Sequence, residues 1–215
     1  MELMSMVSKG LFIAFEGMDG SGKTAQAQRL VNWIFSTYKA VDSILLTREP
    51  TKSKYGVELS QRLREMKSFE ENKERLMELF ILDREQHVDH QLIPMLTQKA
   101  VIICDRYKYS TIVYQGAQGI PMARLIDGNA AFPVPDLTLI FNASVDACIQ
   151  RMQGKPGMDT FEKKEFLEKI KQGYSNLPKL LPKENFQIIN ANQSIEHVHQ
   201  DVIKAVKPLL DAISK

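Results

Sequence analysis

The sequence has few of the features that mark secreted or membrane proteins. Cysteine occurs only twice, at Cys104 and Cys148, with no CxxC pair, and this usage favours a reducing compartment over a disulfide framework. No apolar run approaches the roughly 20 residues of a membrane span, and the start MELMSMVSKG lacks a signal-peptide pattern. We therefore expect a cytoplasmic protein with no membrane partner.

A strong net charge is also missing. The chain has 28 Lys and Arg against 26 Asp and Glu, a formal charge of +2, which is too small to indicate a nucleic-acid partner. Any anion site must therefore be local. Hydrophobic residues at 44% and charged residues at 25% are typical of globular proteins. With no linker or repeat, the 215 residues predict a single domain over residues 1–215.

Short apolar runs alternate with longer segments of helical periodicity. Five runs predict buried strands at 11–16, 42–47, 100–105, 136–141 and 185–190. Seven segments predict helices at 23–39, 56–66, 72–98, 106–117, 144–153, 162–177 and 194–213. This alternation predicts an α/β protein, a three-layer α/β/α sandwich around a five-stranded parallel sheet. Ligands are then expected at the carboxyl ends of the strands.

A phosphate-binding loop follows the first predicted strand. The run GMDGSGKT fits the pattern G-x-x-x-x-G-K-[ST] between a strand and a helix. In such a loop the backbone N–H groups converge on phosphate oxygens, the lysine reaches the β- and γ-phosphates, and the hydroxyl of Thr24 binds Mg²⁺. The candidate residues are Gly17, Met18, Asp19, Gly20, Ser21, Gly22, Lys23 and Thr24. The loop alone leaves GTPases, ATPases, motors and kinases open, although no guanine-reading Asn-Lys-x-Asp is present.

The next strand ends add charged side chains to the same edge. Arg48 follows the second strand and is suited to clamp the phosphate of a second substrate, the alternative being a surface pair with Glu49. Asp105 and Arg106 follow the third strand, where a carboxylate can hold Mg²⁺ and a guanidinium can bridge phosphates. Two arginines at this edge favour a phosphorylated acceptor.

The helix after Arg106 carries polar and aromatic side chains on one face. These side chains recur at steps of three and four residues, a grouping that suits the reading of a nucleobase and its sugar. A plain amphipathic helix that buries Ile112 and Val113 is the alternative. The candidate residues are Ser110, Thr111, Tyr114 and Gln115.

Five motifs in order, FEGMDGSGKTAQ, TREP, LFILDREQH, DRYKYSTIVYQG and PDLTLIF, resemble those of the thymidylate kinase family. The resemblance spans nearly the whole chain. It implies a P-loop NTPase fold of the nucleoside monophosphate kinase type, transfer of the γ-phosphoryl of ATP to thymidine monophosphate (dTMP) with Mg²⁺, and a homodimer.

The resemblance also implies roles for individual residues on the base and sugar. Phe80 matches the ring that stacks on thymine, and Arg84 matches the donor to its O4. A donor at this position favours thymine over cytosine, which presents an amino group there. Thr111 and Gln115 match the readers of the remaining base edge. Tyr114 matches the ring that crowds the sugar 2′ position and so selects deoxyribose.

On the phosphate side, the resemblance assigns Arg48 and Arg106 to the acceptor monophosphate and Asp105 to the neighbourhood of the metal. It places Asp19 near the sugar 3′-hydroxyl, so that the negative charge in the phosphate loop faces the acceptor. The alternative for Asp19 is a turn-forming role within its own loop. Lys23 and Arg106 are the expected catalytic cations.

The family's mobile lid corresponds to about residues 150–165, and here the sequence departs from the family pattern. The lid arginine is replaced by Thr160. Nor does the phosphate loop supply a substitute cation, because Met18, Asp19 and Ser21 are not basic. We expect Arg151 and Lys155 to stabilise the transferring phosphoryl group, a solvated charged loop being the alternative.

Two other functions remain open at this point. One is a kinase for another nucleoside monophosphate or for a deoxynucleoside, and the other is a regulatory P-loop NTPase. Phosphorylation of dTMP distinguishes either from the expected activity.

Overall fold

The computed structural model describes residues 10–65, 72–152 and 160–214, with the backbone alone at 160–163. Its centre is one sheet of five parallel strands in the order β2-β3-β1-β4-β5. The strands are β1 (Leu11–Gly17), β2 (Ile44–Arg48), β3 (Val101–Asp105), β4 (Leu137–Asn142) and β5 (Phe186–Asn190). Each lies within two residues of its predicted bounds, and the predicted five-stranded parallel sheet is confirmed. The expectation that all five are buried is wrong for β2 and β5, which are partly exposed because they lie at the edges of the sheet.

Helices connect the strands and cover the sheet, as parallel strands require. Before β3 the chain forms α1 (Lys23–Thr37), α2 (Lys54–Glu65), α3 (Lys73–His87), a π-helical turn (Val88–Leu92) and α4 (Ile93–Thr97). After β3 it forms α5 (Lys108–Ala117), α6 (Met122–Asn129), α7 (Val145–Arg151), α8 (Thr160–Leu180) and α9 (Ile195–Ile213).

Two predicted helices need correction, and one helix was not predicted. The segment predicted as one helix at 72–98 is divided by the π-helical turn, in which the N–H of Ile93 bonds the carbonyl oxygen of Val88. Pro94, in the first turn of α4, has no N–H to continue an α-helical ladder. α5 begins at Lys108 rather than 106, because Arg106 adopts a left-handed conformation with φ 71°. α6 was not predicted.

The hydrophobic core lies on both faces of the sheet, and β1 shows why. Alternate side chains of a strand point to opposite faces. Leu11, Ile13 and Phe15 accordingly belong to the larger apolar cluster, whereas Phe12 and Ala14 belong to the cluster beneath the π-helical turn and α4. Burial on both faces keeps the central strands in place, so that their carboxyl ends form a fixed edge.

The two cysteines are buried and unpaired, in agreement with the sequence analysis. None of the helices in the described part of the chain has the length and apolar character that crossing a bilayer requires.

Candidate active site

The phosphate loop joins β1 to α1 at the carboxyl edge of the sheet. Gly17 and Gly20 are tightly enclosed there. A Cβ on Gly17 would lie 2.7 Å from the carbonyl oxygen of Phe141, and one on Gly20 would lie 2.6 Å from that of Cys148. Gly20 also has a φ of 80°, which side chains other than glycine rarely adopt. The loop is therefore fitted against β4 and α7, and it leads into the N-terminus of α1, where N–H groups attract phosphate.

Lys23 folds back over this loop. Its ammonium donates to the carbonyl oxygens of Gly17 at 2.9 Å and Met18 at 2.8 Å. The pKa of Lys23 is lowered to about 8, chiefly by burial and secondly by the positive charge of Arg106. The loop thus gathers a cation and oriented dipoles in the place where nucleotide phosphates are expected.

Thr24 and Asp105 meet beside the loop. The hydroxyl of Thr24 donates to one carboxylate oxygen of Asp105. The other oxygen, Oδ1, is buried and has no hydrogen-bond partner among the described residues. A hydroxyl beside an unpartnered carboxylate oxygen fits a hard divalent cation. Since the described residues contain no group of three His, Cys, Asp or Glu side chains suited to a metal, its other ligands would come from water and phosphate.

Arg106 brings the phosphate loop and α5 together. Its guanidinium donates to Asp19 Oδ1 at 2.8 Å, to Ser110 Oγ at 3.0 Å and to the Tyr114 hydroxyl at 3.2 Å. It also lies 5.1 Å from the centre of the Tyr114 ring. Burial raises the pKa of Tyr114 to about 12, so its hydroxyl stays protonated near neutral pH. Four predicted site residues therefore lie together, with Arg106 in contact with Asp19, Ser110 and Tyr114.

Glu16, at the end of β1, is a buried carboxylate that the sequence analysis missed. It accepts hydrogen bonds from the backbone N–H groups of Tyr107 at 2.8 Å and Ser110 at 3.2 Å. It also accepts from the hydroxyls of Ser110 at 2.6 Å and Tyr174 at 3.0 Å. Burial raises the pKa of Glu16, while the bonds from Ser110 and the charge of Arg106 oppose the rise. Glu16 thereby caps the start of α5 and ties it to Tyr174 on α8.

The arginine predicted to read the base, Arg84, is completely buried. Its Nε donates to Oε2 of Glu49 at 2.9 Å, and Nη2 forms an ion pair with the same oxygen at 2.7 Å. Nη2 also donates to Thr111 Oγ1 at 3.0 Å, and Nη1 donates to the side-chain oxygen of Asn129. Phe80, one helical turn earlier, is half-buried. The guanidinium is thus held by an ion pair that connects α3 to the end of β2.

Gln115 lies on the same helix as Thr111 and is also buried. Its amide nitrogen donates to Gln118 at 3.1 Å. Its amide oxygen is buried and finds no hydrogen-bond partner among the described residues. An acceptor in this state is costly unless a ligand supplies a donor, so Gln115 fits a ligand-reading position.

Arg48 lies apart from these contacts. It ends β2 in register with Asp105 of β3, and its side chain is exposed. Within the described part of the chain it has no hydrogen bond or ion pair. The alternative pairing with Glu49 is wrong, since the carboxylate of Glu49 is taken by Arg84 and His87. Arg48 is therefore available to an incoming anion.

Arg151 contacts the back of the phosphate loop. Its guanidinium donates to the carbonyl oxygens of Gly20 at 3.3 Å and Ala191 at 3.2 Å. These bonds link the loop to the turn that follows β5. The other expected lid cation, Lys155, lies outside the described residues, as does the whole of 153–159 within the segment 150–165 expected to form the lid.

Comparison with known proteins decides the family. The family model described as thymidylate kinase matches residues 15–202 of this chain. The chain belongs to the thymidylate kinase family. It is 36% identical over 203 residues to the probable thymidylate kinase of Pyrococcus horikoshii, covering 93% of this chain and 97% of that protein. The thymidylate kinase of Desulfotalea psychrophila is also 36% identical, with 94% and 96% of the two chains covered.

Membership of the thymidylate kinase family confirms the resemblance and the nucleoside monophosphate kinase fold expected from the motifs. The family uses ATP as phosphoryl donor and a divalent metal. Another function class, such as a regulatory NTPase, is not favoured by a match that extends over most of the chain.

In this thymidylate kinase family member, several residues that support the site residues by hydrogen bonds were not predicted from the sequence. Glu16 was read only as the end of a strand, and Tyr174 as part of an amphipathic helix. Glu49 was considered only as a surface partner of Arg48, and His87 and Asn129 were not assigned to the site. An acidic residue ending a buried strand was the one local signal available, because the other contacts join residues 27 to 158 positions apart.

Proposed function

We propose that this protein transfers the γ-phosphoryl group of ATP to dTMP, giving dTDP and ADP. The observation that carries the proposal is the position of Arg106, whose guanidinium contacts Asp19 of the phosphate loop and both Ser110 and Tyr114 of α5. A cation between a donor loop and an acceptor helix is suited to neutralise charge on a phosphoryl group that passes between them.

The donor phosphates would bind along the phosphate loop and the first turn of α1. Lys23 would exchange the carbonyl oxygens of Gly17 and Met18 for phosphate oxygens, which carry a full charge. Thr24 and Asp105 would hold the metal, which we propose to be Mg²⁺. That ion would neutralise charge on the transferring phosphates.

The acceptor phosphate would bind to Arg48 and Arg106. Asp19 and Tyr114, both beside Arg106, would face the sugar, Asp19 at the 3′-hydroxyl and Tyr114 at the 2′ position. No general base is required, since a phosphate monoester is already an anion near neutral pH. The protein would act mainly by alignment and by charge neutralisation.

The thymine base would lie against Arg84, Thr111 and Gln115, with the ring of Phe80 stacked upon it. Thymine offers an acceptor at O4 and a donor at N3. Gln115 presents a buried amide oxygen that is unpartnered within the described residues, and this acceptor suits the N3–H donor. Arg84 supplies the donor for O4.

Several further expectations stay proposals. Arg151 or Lys155 would provide the cation that the family places at the position of Thr160, and residues 150–165 would form the lid of a single domain. We further propose a cytoplasmic homodimer, which sedimentation equilibrium of the purified protein would test.

A panel of nucleoside monophosphates with ATP and Mg²⁺ tests the proposed acceptor. We expect dTMP to be phosphorylated with the highest kcat/KM, and Lys23→Ala to lower kcat by several orders of magnitude. A loss below about tenfold in that variant would contradict the role of Lys23. Strong activity on another monophosphate with none on dTMP would overturn the substrate assignment.

A further inference from the structure

A buried chain of hydrogen bonds runs behind Arg84. The Thr47 hydroxyl lies 2.8 Å from Nε2 of His87, and Nδ1 of His87 lies 3.0 Å from Oε1 of Glu49. The other carboxylate oxygen, Oε2, accepts from Nε of Arg84 and forms an ion pair with its Nη2. Thr47 and Glu49 come from the end of β2, whereas Arg84 and His87 share one face of α3 at a spacing of three residues.

The direction of these bonds follows from what each group can donate. A carboxylate only accepts, so Nδ1 of His87 must carry the proton that points to Glu49. In the neutral imidazole, Nε2 is then an acceptor, and the hydroxyl of Thr47 donates to it. Each polar atom of His87 therefore has one defined partner, which fixes the ring and, with it, the plane of the Glu49 carboxylate.

Because these side chains are buried, the arrangement of their hydrogen bonds matters for the Glu49–Arg84 ion pair. The side chains of Arg84 and His87 are 0% exposed, and that of Glu49 is 2% exposed. A buried ion pair is favourable only with good geometry and satisfied remaining atoms. Without His87, Oε1 of Glu49 would have no other hydrogen-bond donor among the described residues, and the carboxylate could turn away from Arg84.

The N–H groups of Arg84 can be counted. A guanidinium has five. Three of them donate to described residues, one each to Glu49, Asn129 and Thr111, and Nη2 also forms an ion pair with Glu49. One N–H on Nη1 is left for a ligand. Glu49 contacts the opposite edge of the planar guanidinium, at Nε and Nη2, and so sets the direction of this N–H. A small rotation of the Glu49 carboxylate would therefore redirect the N–H of Nη1.

We propose that His87 is a positioning residue that sets the selectivity for the acceptor base by holding Glu49, and through it Arg84, in a single orientation. This inference rests on the proposed function in one respect, the assignment of Arg84 to the base. His87 itself contacts Glu49 and Thr47, and its role is to direct the donor that reads the base.

Two substitutions test the roles of the two imidazole nitrogens of His87 separately. In His87→Asn the side-chain amide can place an N–H near the position of Nδ1, and in His87→Gln it places one nearer Nε2. We expect His87→Gln to raise the KM for dTMP about tenfold or more, and to narrow the preference for dTMP over dCMP by a similar factor, with the KM for ATP within about twofold of wild type. In His87→Asn we expect the KM for dTMP and the preference for dTMP over dCMP to stay much closer to the wild-type values than in His87→Gln.

A merely structural histidine would give a different result. Its loss would lower the melting temperature without changing the ratio of kcat/KM for dTMP and dCMP, and Asn would rescue no better than Gln. Thr47→Val provides a milder variant if His87→Gln does not fold. It removes the hydroxyl that donates to Nε2, and we expect it to reduce the same ratio in the same direction.

A measurement on the ligand-free protein separates this inference from the proposed function. The ¹H–¹⁵N signal of the Arg84 Nε–H, assigned by its loss in Arg84→Lys, should exchange with solvent at least about tenfold faster in His87→Gln than in wild type or His87→Asn. Unchanged exchange and unchanged base selectivity would overturn the role of His87. If wild type does not phosphorylate dTMP, the proposed function fails, and the exchange comparison still decides whether His87 holds Arg84.

Discussion

The carboxylate of Asp19 lies 2.8 Å from the guanidinium of Arg106. This ion pair accounts for an acidic residue in a loop that is fitted to bind phosphate. In the proposed function the backbone of the loop would bind the donor phosphates, while the side chain of Asp19 contacts Arg106, which in turn contacts Tyr114 on the proposed acceptor side. The negative charge therefore faces the proposed sugar site and balances Arg106.

Replacement of Asp19 tests whether its side chain serves the acceptor site rather than the donor site. We expect Asp19→Ala to raise the KM for dTMP more than the KM for ATP, because the lost carboxylate faces the acceptor. Asp19→Asn is the matched control: it keeps the shape and removes the charge. The two KM values would be measured in a coupled assay at saturating concentration of the other substrate. A larger change in the KM for ATP would return Asp19 to a role in the shape of the loop.

The glycines of the phosphate loop offer a paired test of close packing. A Cβ at Gly20 would approach the Cys148 carbonyl oxygen to 2.6 Å, whereas a Cβ at Gly22 would meet no atom within 4 Å. Both have positive φ, 80° and 94°, so both substitutions by alanine carry a conformational cost of about 1 kcal/mol. Gly20→Ala adds a backbone clash and should cost at least about 1 kcal/mol more. Urea denaturation would measure the difference, and equal costs would contradict the packing.

Glu16 should give a pH-dependent contribution to stability. Burial raises its pKa in the folded protein above the ordinary value of 4.5, so the folded state keeps a proton that the unfolded state has lost. The contribution of Glu16 to the free energy of unfolding is therefore largest below pH 4.5, and it declines as the pH rises through the raised pKa. Glu16→Gln should remove this decline.

The same substitution should also affect turnover. Both backbone N–H groups at the start of α5 donate to Oε1 of Glu16, so a glutamine can keep its oxygen there. Its NH₂ group would replace Oε2, which accepts from the hydroxyls of Ser110 and Tyr174, and those two bonds would be lost or reversed. We expect a loss of about 1 to 3 kcal/mol in the free energy of unfolding and a fall in kcat, because Arg106 immediately precedes α5. Denaturation curves across the pH range, compared between wild type and Glu16→Gln, check both the slope and the cost. A variant with the wild-type pH slope would contradict the account of Glu16.

Local patterns made most of the fold predictable. β1 and β3 are buried along their whole length, and their continuous apolar runs gave a clear pattern. The partly exposed strands β2 and β5 were also placed within two residues, from their shorter apolar runs. α6 was missed because its eight residues follow a proline and are too short to establish a helical period. The π-helical turn was missed because Pro94 was included within one long predicted helix. The left-handed Arg106 was missed because its partners Asp19 and Tyr174 lie 87 and 68 positions away in the sequence.

The candidate site divides in the same way. The phosphate loop was predictable because its residues are consecutive, and so was the polar face of α5 because its period is short. The partners of these residues were not predictable. Glu49 lies 35 residues from Arg84, and Glu16 lies 158 residues from Tyr174, so only the folded sheet brings them together.

Direct observation of the products tests the central claim most sharply. The purified protein would be incubated with ATP, dTMP and Mg²⁺ and followed by ³¹P NMR. We predict that dTDP and ADP appear in equal amounts, without matching release of inorganic phosphate, and that neither appears with Lys23→Ala. ADP accompanied by inorganic phosphate, with dTMP unchanged, would contradict phosphoryl transfer to dTMP and would indicate a hydrolase instead.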